Sequence, residues 1–108
     1  LTNGIISMGV KTTRKVKLTD TDFQILSELR EGRNLAANIA EEIGRSRKYI
    51  NGRMPYLLDY GLVDKVGPVE DLGLYELTEK GRLACQHRDK YLDDQVDFDA
   101  FLAEELEE

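Results

Sequence analysis

Apolar residues recur at helical spacing through most of this chain, broken by capping residues and glycines at regular intervals. Thr19 reads as an N-cap, with Asp22 three residues on, and Phe23, Ile25, Leu26 and Leu29 form one apolar face before Glu31-Gly32 closes the helix. Asn34 is expected to cap a second helix with Leu35, Ile39 and Ile43 inward and small Ala36, Ala37 and Ala40 for close packing; Gly44 ends it. Ser46 caps a third, whose Ile50, Met54, Leu57 and Leu58 face the core and whose opposite face shows Arg47, Lys48, Asn51 and Gly52.

After Gly61 the period changes. Leu62 to Val66 reads as a short strand, Gly67-Pro68 to Leu72-Gly73 as a turn-rich loop, and Leu74-Tyr75-Glu76-Leu77 as the returning strand. Thr78 caps the next helix, expected to carry Leu83, Ala84 and later Tyr91 and Leu92. A last amphipathic segment holds Val96, Phe98, Phe101, Leu102 and Leu106. The pattern predicts a mainly α (α+β) domain: a winged helix-turn-helix with a two-stranded wing and one or two C-terminal helices. Residues 1–18 read as a flexible basic arm, 19–84 as the winged domain and 85–108 as an acidic helical segment and possible dimer seam.

Two features strain the third helix. Gly52 costs about 1 kcal/mol relative to alanine, and an interior proline such as Pro55 costs ~3 kcal/mol. Pro55 cannot donate to the Asn51 carbonyl, so a kink or a shortened helix is expected. Asn51-Gly52 is also a hairpin dipeptide, but the flanking Lys48-Tyr49-Ile50 and Arg53-Met54-Pro55 make poor paired strands.

Charge sharpens the picture. The 108-residue chain has a net charge of −6, unevenly spread. Lys11, Arg14, Lys15 and Lys17 stand in the first eighteen residues without an acid, whereas the tail from Asp93 carries acids and no base. Arg45, Arg47, Lys48 and Arg53 cluster on the third helix and its entry. A local field over one Debye length, rather than net charge, governs attraction to phosphate.

That helix has the chemistry to read a DNA major groove. Its first turns, from Ser46, offer backbone N–H groups to phosphate. Arg47 and Arg53 carry the planar fork that matches guanine, and Asn51 can pair bidentately with adenine. Lys48 and Arg45 suit phosphates, and Tyr49 suits a sugar, a phosphate or a thymine methyl. Arg53 lies off the Lys48–Asn51 stripe. The bland alternative is the solvated polar face that any surface helix needs; basic clustering directly after a helix-turn favours DNA.

Residues Arg45-Ser46-Arg47-Lys48-Tyr49-Ile50-Asn51, Leu57, Gly61-Leu62-Val63 and Tyr75-Glu76-Leu77-Thr78-Glu79-Lys80-Gly81 carry a resemblance. Over roughly residues 19–84 the chain resembles the archaeal, especially haloarchaeal, phage-repressor-like winged helix-turn-helix family. More distantly it is similar to multiple-antibiotic-resistance-type regulators. The resemblance implies a sequence-specific double-stranded DNA-binding transcriptional regulator, often a repressor and often a homodimer. In such relatives the wing tip grips the minor groove or its phosphates. Here the tip has Glu70 and Asp71 and no base, which leaves Lys65 at the wing base as the phosphate partner and the basic arm as a substitute.

Other chemistries find little footing. Cys85 and His87 stand two residues apart on a helix, point to different faces and fall short of a closed metal site. One histidine, no Gly-rich phosphate loop and no nucleophile elbow argue against an enzyme, and no cofactor is expected. A single cysteine fits a reducing cytoplasm. No apolar run is long enough to span a bilayer. Leu1 to Ser7 do not read as a secretory signal, and Met8 is a candidate natural start. The competing reading is a winged-helix protein-interaction module that docks through its acidic tail. A small-molecule-sensing switch is a third.

Overall fold

The computed structural model describes residues 15–67 and 73–107. Among these residues the elements follow in order: α1 (Asp20–Leu29), β1 (Asn34–Leu35), α2 (Ala36–Ile43), α3 (Arg47–Asp59), β2 (Val63–Lys65), β3 (Leu74–Leu77), α4 (Glu79–Gln86), α5 (Arg88–Tyr91) and α6 (Phe98–Glu107). The strands form one antiparallel sheet in the order β1-β3-β2. The architecture is a winged helix-turn-helix.

Local chemistry starts the helices where the sequence places them. Thr19 and Asp22 make a reciprocal capping box, Thr19 Oγ1 accepting from the Asp22 N–H and Asp22 Oδ2 from the Thr19 N–H. Ser46 Oγ accepts from the Tyr49 N–H at 3.0 Å, and Thr78 Oγ1 from the Gly81 N–H at 3.0 Å. Gly44 ends α2 in the left-handed region, φ 81°, and its N–H returns to the Ala40 carbonyl.

Asn34 departs from its expected role. It pairs with Tyr75 as a strand residue, Leu35 pairs with Leu74, and α2 starts at Ala36 without a side-chain cap. The Asn34 Oδ1 instead accepts from the Leu35 N–H and from Asn38 Nδ2. The hairpin offers a free strand edge, and satisfying that edge outweighs one helix cap. The expected two-stranded wing thus gains a third strand. The register of β2 sets Val63–Lys65 opposite Leu77, Glu76 and Tyr75, and the Thr78 N–H to Leu62 carbonyl and Val66 N–H to Leu74 carbonyl bonds continue the pairing at both ends.

Ile25, Leu26, Ile39, Ile50, Met54, Leu57 and Leu62 are fully buried and join the three-helix core to the wing. Each such side chain contributes about 1.5–3 kcal/mol on burial. Pro55 does not shorten α3, which continues to Asp59. Pro55 itself is exposed, and its neighbours Met54 and Leu57 are fully buried, so tertiary packing carries the helix past the missing hydrogen bond.

Gly81 allows α4 to lie against the wing. A Cβ there would collide with the Leu62 carbonyl and crowd the Leu77 side chain. The same corner is tied by Thr78 Oγ1 donating to the Gly61 carbonyl at 2.6 Å and Lys80 Nζ donating to the Tyr60 carbonyl at 2.9 Å. The exit of α3 is thereby fixed to the start of α4.

The helix expected to run from Thr78 past Leu92 is divided in two. The chain breaks at His87, φ −113° and ψ 40°, between α4 and α5. The break sets Tyr91 against Phe23 and Phe98, with ring centroids 5.4 and 5.2 Å away. Phe98 and Leu102 of α6 are buried within this same chain, whereas Leu92 and Leu106 are exposed. Residues 15–18 are no free arm. Val16 and Leu18 are buried, the Val16 N–H donates to the Asp99 carboxylate, and the Tyr91 hydroxyl accepts from the Leu18 N–H and donates to its carbonyl. The rest of the expected arm, residues 1–14, lies outside the described residues, as do wing-tip residues 68–72 and residue 108.

Candidate nucleic-acid interface

Helix α3 has two unlike faces. Ile50, Met54 and Leu57 have no solvent exposure, whereas Arg47, Lys48, Asn51 and Gly52 are exposed. Packing against α2 and the wing holds the inner face, so the outer stripe is presented on a rigid backbone. Arg47, Lys48 and Asn51 make no side-chain hydrogen bond or ion pair among the described residues. They are displayed together toward solvent, and a nucleic acid could reach them without breaking an internal contact.

Arg45 and Ser46 lie in the turn before the helix. The Arg45 guanidinium sits 4.3 Å from the Tyr49 ring centroid, a cation–π contact that holds the positive charge at the helix entry. Ser46 is the cap itself. Tyr49 is half-buried and leans on the core, so its ring is a fixed wall beside the basic stripe. Lys65, exposed at the end of β2 opposite Tyr75, stands on the wing rather than the helix.

Arg53 requires a correction. Expected as a guanine reader, it is turned to the protein: its Nε donates to Asp22 Oδ1 at 2.9 Å and its Nη2 to Asp22 Oδ2 at 2.8 Å. The Asp22 side chain is fully buried and that of Arg53 is 18% exposed. Hydrogen bonding to Asp22 holds the guanidinium above its ordinary pKa, against the opposing effect of burial. The Nε–Nη2 edge of the guanidinium is spent on a carboxylate. What Arg53 supplies is a bridge from the capping box of α1 to the middle of α3.

Three residues on or behind α3 carry more than the sequence reading assigns them. Asp22 serves as Arg53's partner as well as a cap. Tyr56, on the Gly52 side of α3, is 44% exposed with the Arg53 guanidinium 4.5 Å from its ring centroid. Its i, i+4 spacing from Gly52 was the available signal. Gly52 itself opens a notch lined by Ser46, Lys48, Tyr49 and Arg53.

Cys85 is a free thiol, and the His87 ring packs edge-on against Phe101 at 4.9 Å. No group of three potential metal ligands occurs among the described residues. No helix there is long and apolar enough to cross a membrane.

No protein-family pattern matches the chain, and no curated protein matches it by sequence. Solved structures do match. The chain is similar to Lactococcus lactis ZitR in complex with DNA, at 28% identity and a TM-score of 0.59, over 69% of this chain and 53% of that one. A second ZitR structure, described as a zinc-responsive MarR family member, matches at 26% identity and a TM-score of 0.58, over 72% and 56% of the two chains. The adhesin competence repressor AdcR of Streptococcus pyogenes shares the fold at 20% identity and a TM-score of 0.60, over 85% and 69%. This chain thus spans little more than half the length of the ZitR chains it matches. These neighbours support the more distant of the two likenesses read from the sequence, to multiple-antibiotic-resistance-type regulators, and lend none to a haloarchaeal phage-repressor origin. The fold is that of MarR-like winged helix-turn-helix regulators.

Proposed function

We propose that this chain is a sequence-specific double-stranded DNA-binding transcriptional regulator, a non-enzymatic cytoplasmic repressor that acts as a homodimer. The observation that carries the reading is the exposed Arg47, Lys48 and Asn51 stripe on a capped helix whose other face is wholly core, in a chain similar in structure to a regulator in complex with DNA. In this reading Arg47 reads guanine, Asn51 reads adenine, and Lys48, Arg45 and Lys65 hold phosphates, with Ser46 and Tyr49 at the helix entry. Arg53 orients the helix through Asp22.

The dimer rests on Leu92 and Leu106, apolar side chains left exposed on the C-terminal segment after Phe98 and Leu102 have packed inward. A two-fold pair of reading helices implies half-sites about 10 bp apart, or a multiple of that. Selection of bound duplexes from a random pool tests the reading. Enrichment of one inverted repeat at that spacing is expected; recovery of a pool as random as the input would contradict it.

A further inference from the structure

Gly52 stands in the interior of α3, where glycine costs stability, and nothing in the fold asks for it. It is an ordinary helical residue with no positive φ, and a Cβ built there would meet no atom of the described residues within 4 Å. Among the described residues, neither packing, turn geometry nor close internal approach accounts for it. What the missing side chain does is open a notch on the outer face. The notch is shallow and open to solvent, and Ser46, Lys48, Tyr49, Gly52 and Arg53 line it.

The walls are held. Arg53 is pinned by its two bonds to Asp22, and Tyr49 packs against the core. The surroundings carry positive charge from Arg45, Arg47 and Lys48, which suits a polyanion. We infer that this notch is a specificity pocket for the 5-methyl group of a thymine in the major groove, with Gly52 as the specificity-determining residue. The thymine methyl is the apolar feature that a major-groove edge offers, and a ring beside a side-chain-free patch of helix is complementary to it. The inference rests on the DNA-binding reading above and names one base that it recognises.

The test pairs Gly52→Ala with thymine-to-uracil replacement, one position at a time, in a duplex selected by the full chain. Loss of one buried methyl corresponds to about a three- to fourfold weakening. Wild type should show that loss at one thymine per half-site. Gly52→Ala should bind the thymine duplex about tenfold more weakly, ignore the uracil replacement at that position and keep the wild-type salt dependence, since no charge changes. It should also melt about 4–8 °C higher, because alanine favours the helix, so weaker binding cannot be ascribed to misfolding.

Equal binding by Gly52→Ala and wild type overturns the pocket while leaving the DNA reading intact, provided Arg47→Ala with Lys48→Ala still weakens binding. Weaker binding by Gly52→Ala with the same uracil sensitivity as wild type also overturns it, because the glycine then admits backbone rather than a methyl. If no duplex is bound at all, both the pocket and the proposed function fall.

Discussion

Arg53 closes a two-pronged ion pair on Asp22, at 2.9 and 2.8 Å, across 31 positions of sequence. The carboxylate also accepts the Thr19 N–H, so one buried group ends α1's cap and locates α3. The two ends of α3 are held separately, by Ser46 at its start and by the Thr78 and Lys80 contacts to the Gly61 and Tyr60 carbonyls at its exit. Helix α3 is thus fixed at its start, middle and end by contacts that leave its outer stripe untouched.

Removing Arg53 should be costly because it strands a fully buried carboxylate. Arg53→Met is expected to destabilise the fold by about 3–5 kcal/mol, measured by urea denaturation. Adding Asp22→Asn should recover much of the loss, since the amide oxygen still serves the Thr19 cap and no charge is left unpaired. A double variant no better than Arg53→Met would contradict the pairing.

Gly81→Ala should be more severe than its size suggests. The new methyl meets the Leu62 carbonyl, a backbone atom that cannot rotate away, and α4 must shift from the wing. A loss of about 1–3 kcal/mol or more is expected from such overpacking, read from the thermal midpoint. Gly52→Ala, the same change in open space, should move stability in the opposite direction.

Tyr91→Phe should free the strap at residues 15–18. The hydroxyl both accepts from and donates to the Leu18 backbone, at 2.8 and 3.1 Å, and the ring can stay in place between Phe23 and Phe98. A cost of about 1–2 kcal/mol is expected from the buried N–H left without its partner. Amide exchange at Val16 and Leu18 should accelerate selectively; unchanged protection there would mean that the strap is held by other contacts.

The legible parts of this chain were those decided within one turn of helix. The caps at Thr19, Ser46 and Thr78 and the stop at Gly44 rest on neighbours within a few residues, and alternation alone marks the return strand Leu74–Leu77. The misread parts rest on distant partners. Asn34 has the composition of a cap, but Tyr75 offers it a strand to join. Arg53 has the composition of a base reader, and only its position off the Lys48–Asn51 stripe hinted at an inward partner. The basic charge of Lys15 and Lys17 masked the alternating Val16 and Leu18, which pack against Tyr91 and Asp99 from the far end of the chain. Gly52 reads in sequence as a strained position, and only the fold shows the open space around it among the described residues.

Engagement of DNA by the Arg47, Lys48 and Asn51 face of α3 should be read out in the salt dependence of binding. Affinity for a selected duplex should fall linearly on a log–log plot against salt, and Arg47→Ala with Lys48→Ala should weaken binding. If both side chains meet phosphate, the slope should decrease by about 1.8; if Arg47 reads a base and Lys48 alone meets phosphate, it should decrease by about 0.9, and discrimination at one position should relax. A double variant that keeps wild-type affinity, slope and base preference would place the DNA surface elsewhere on the molecule.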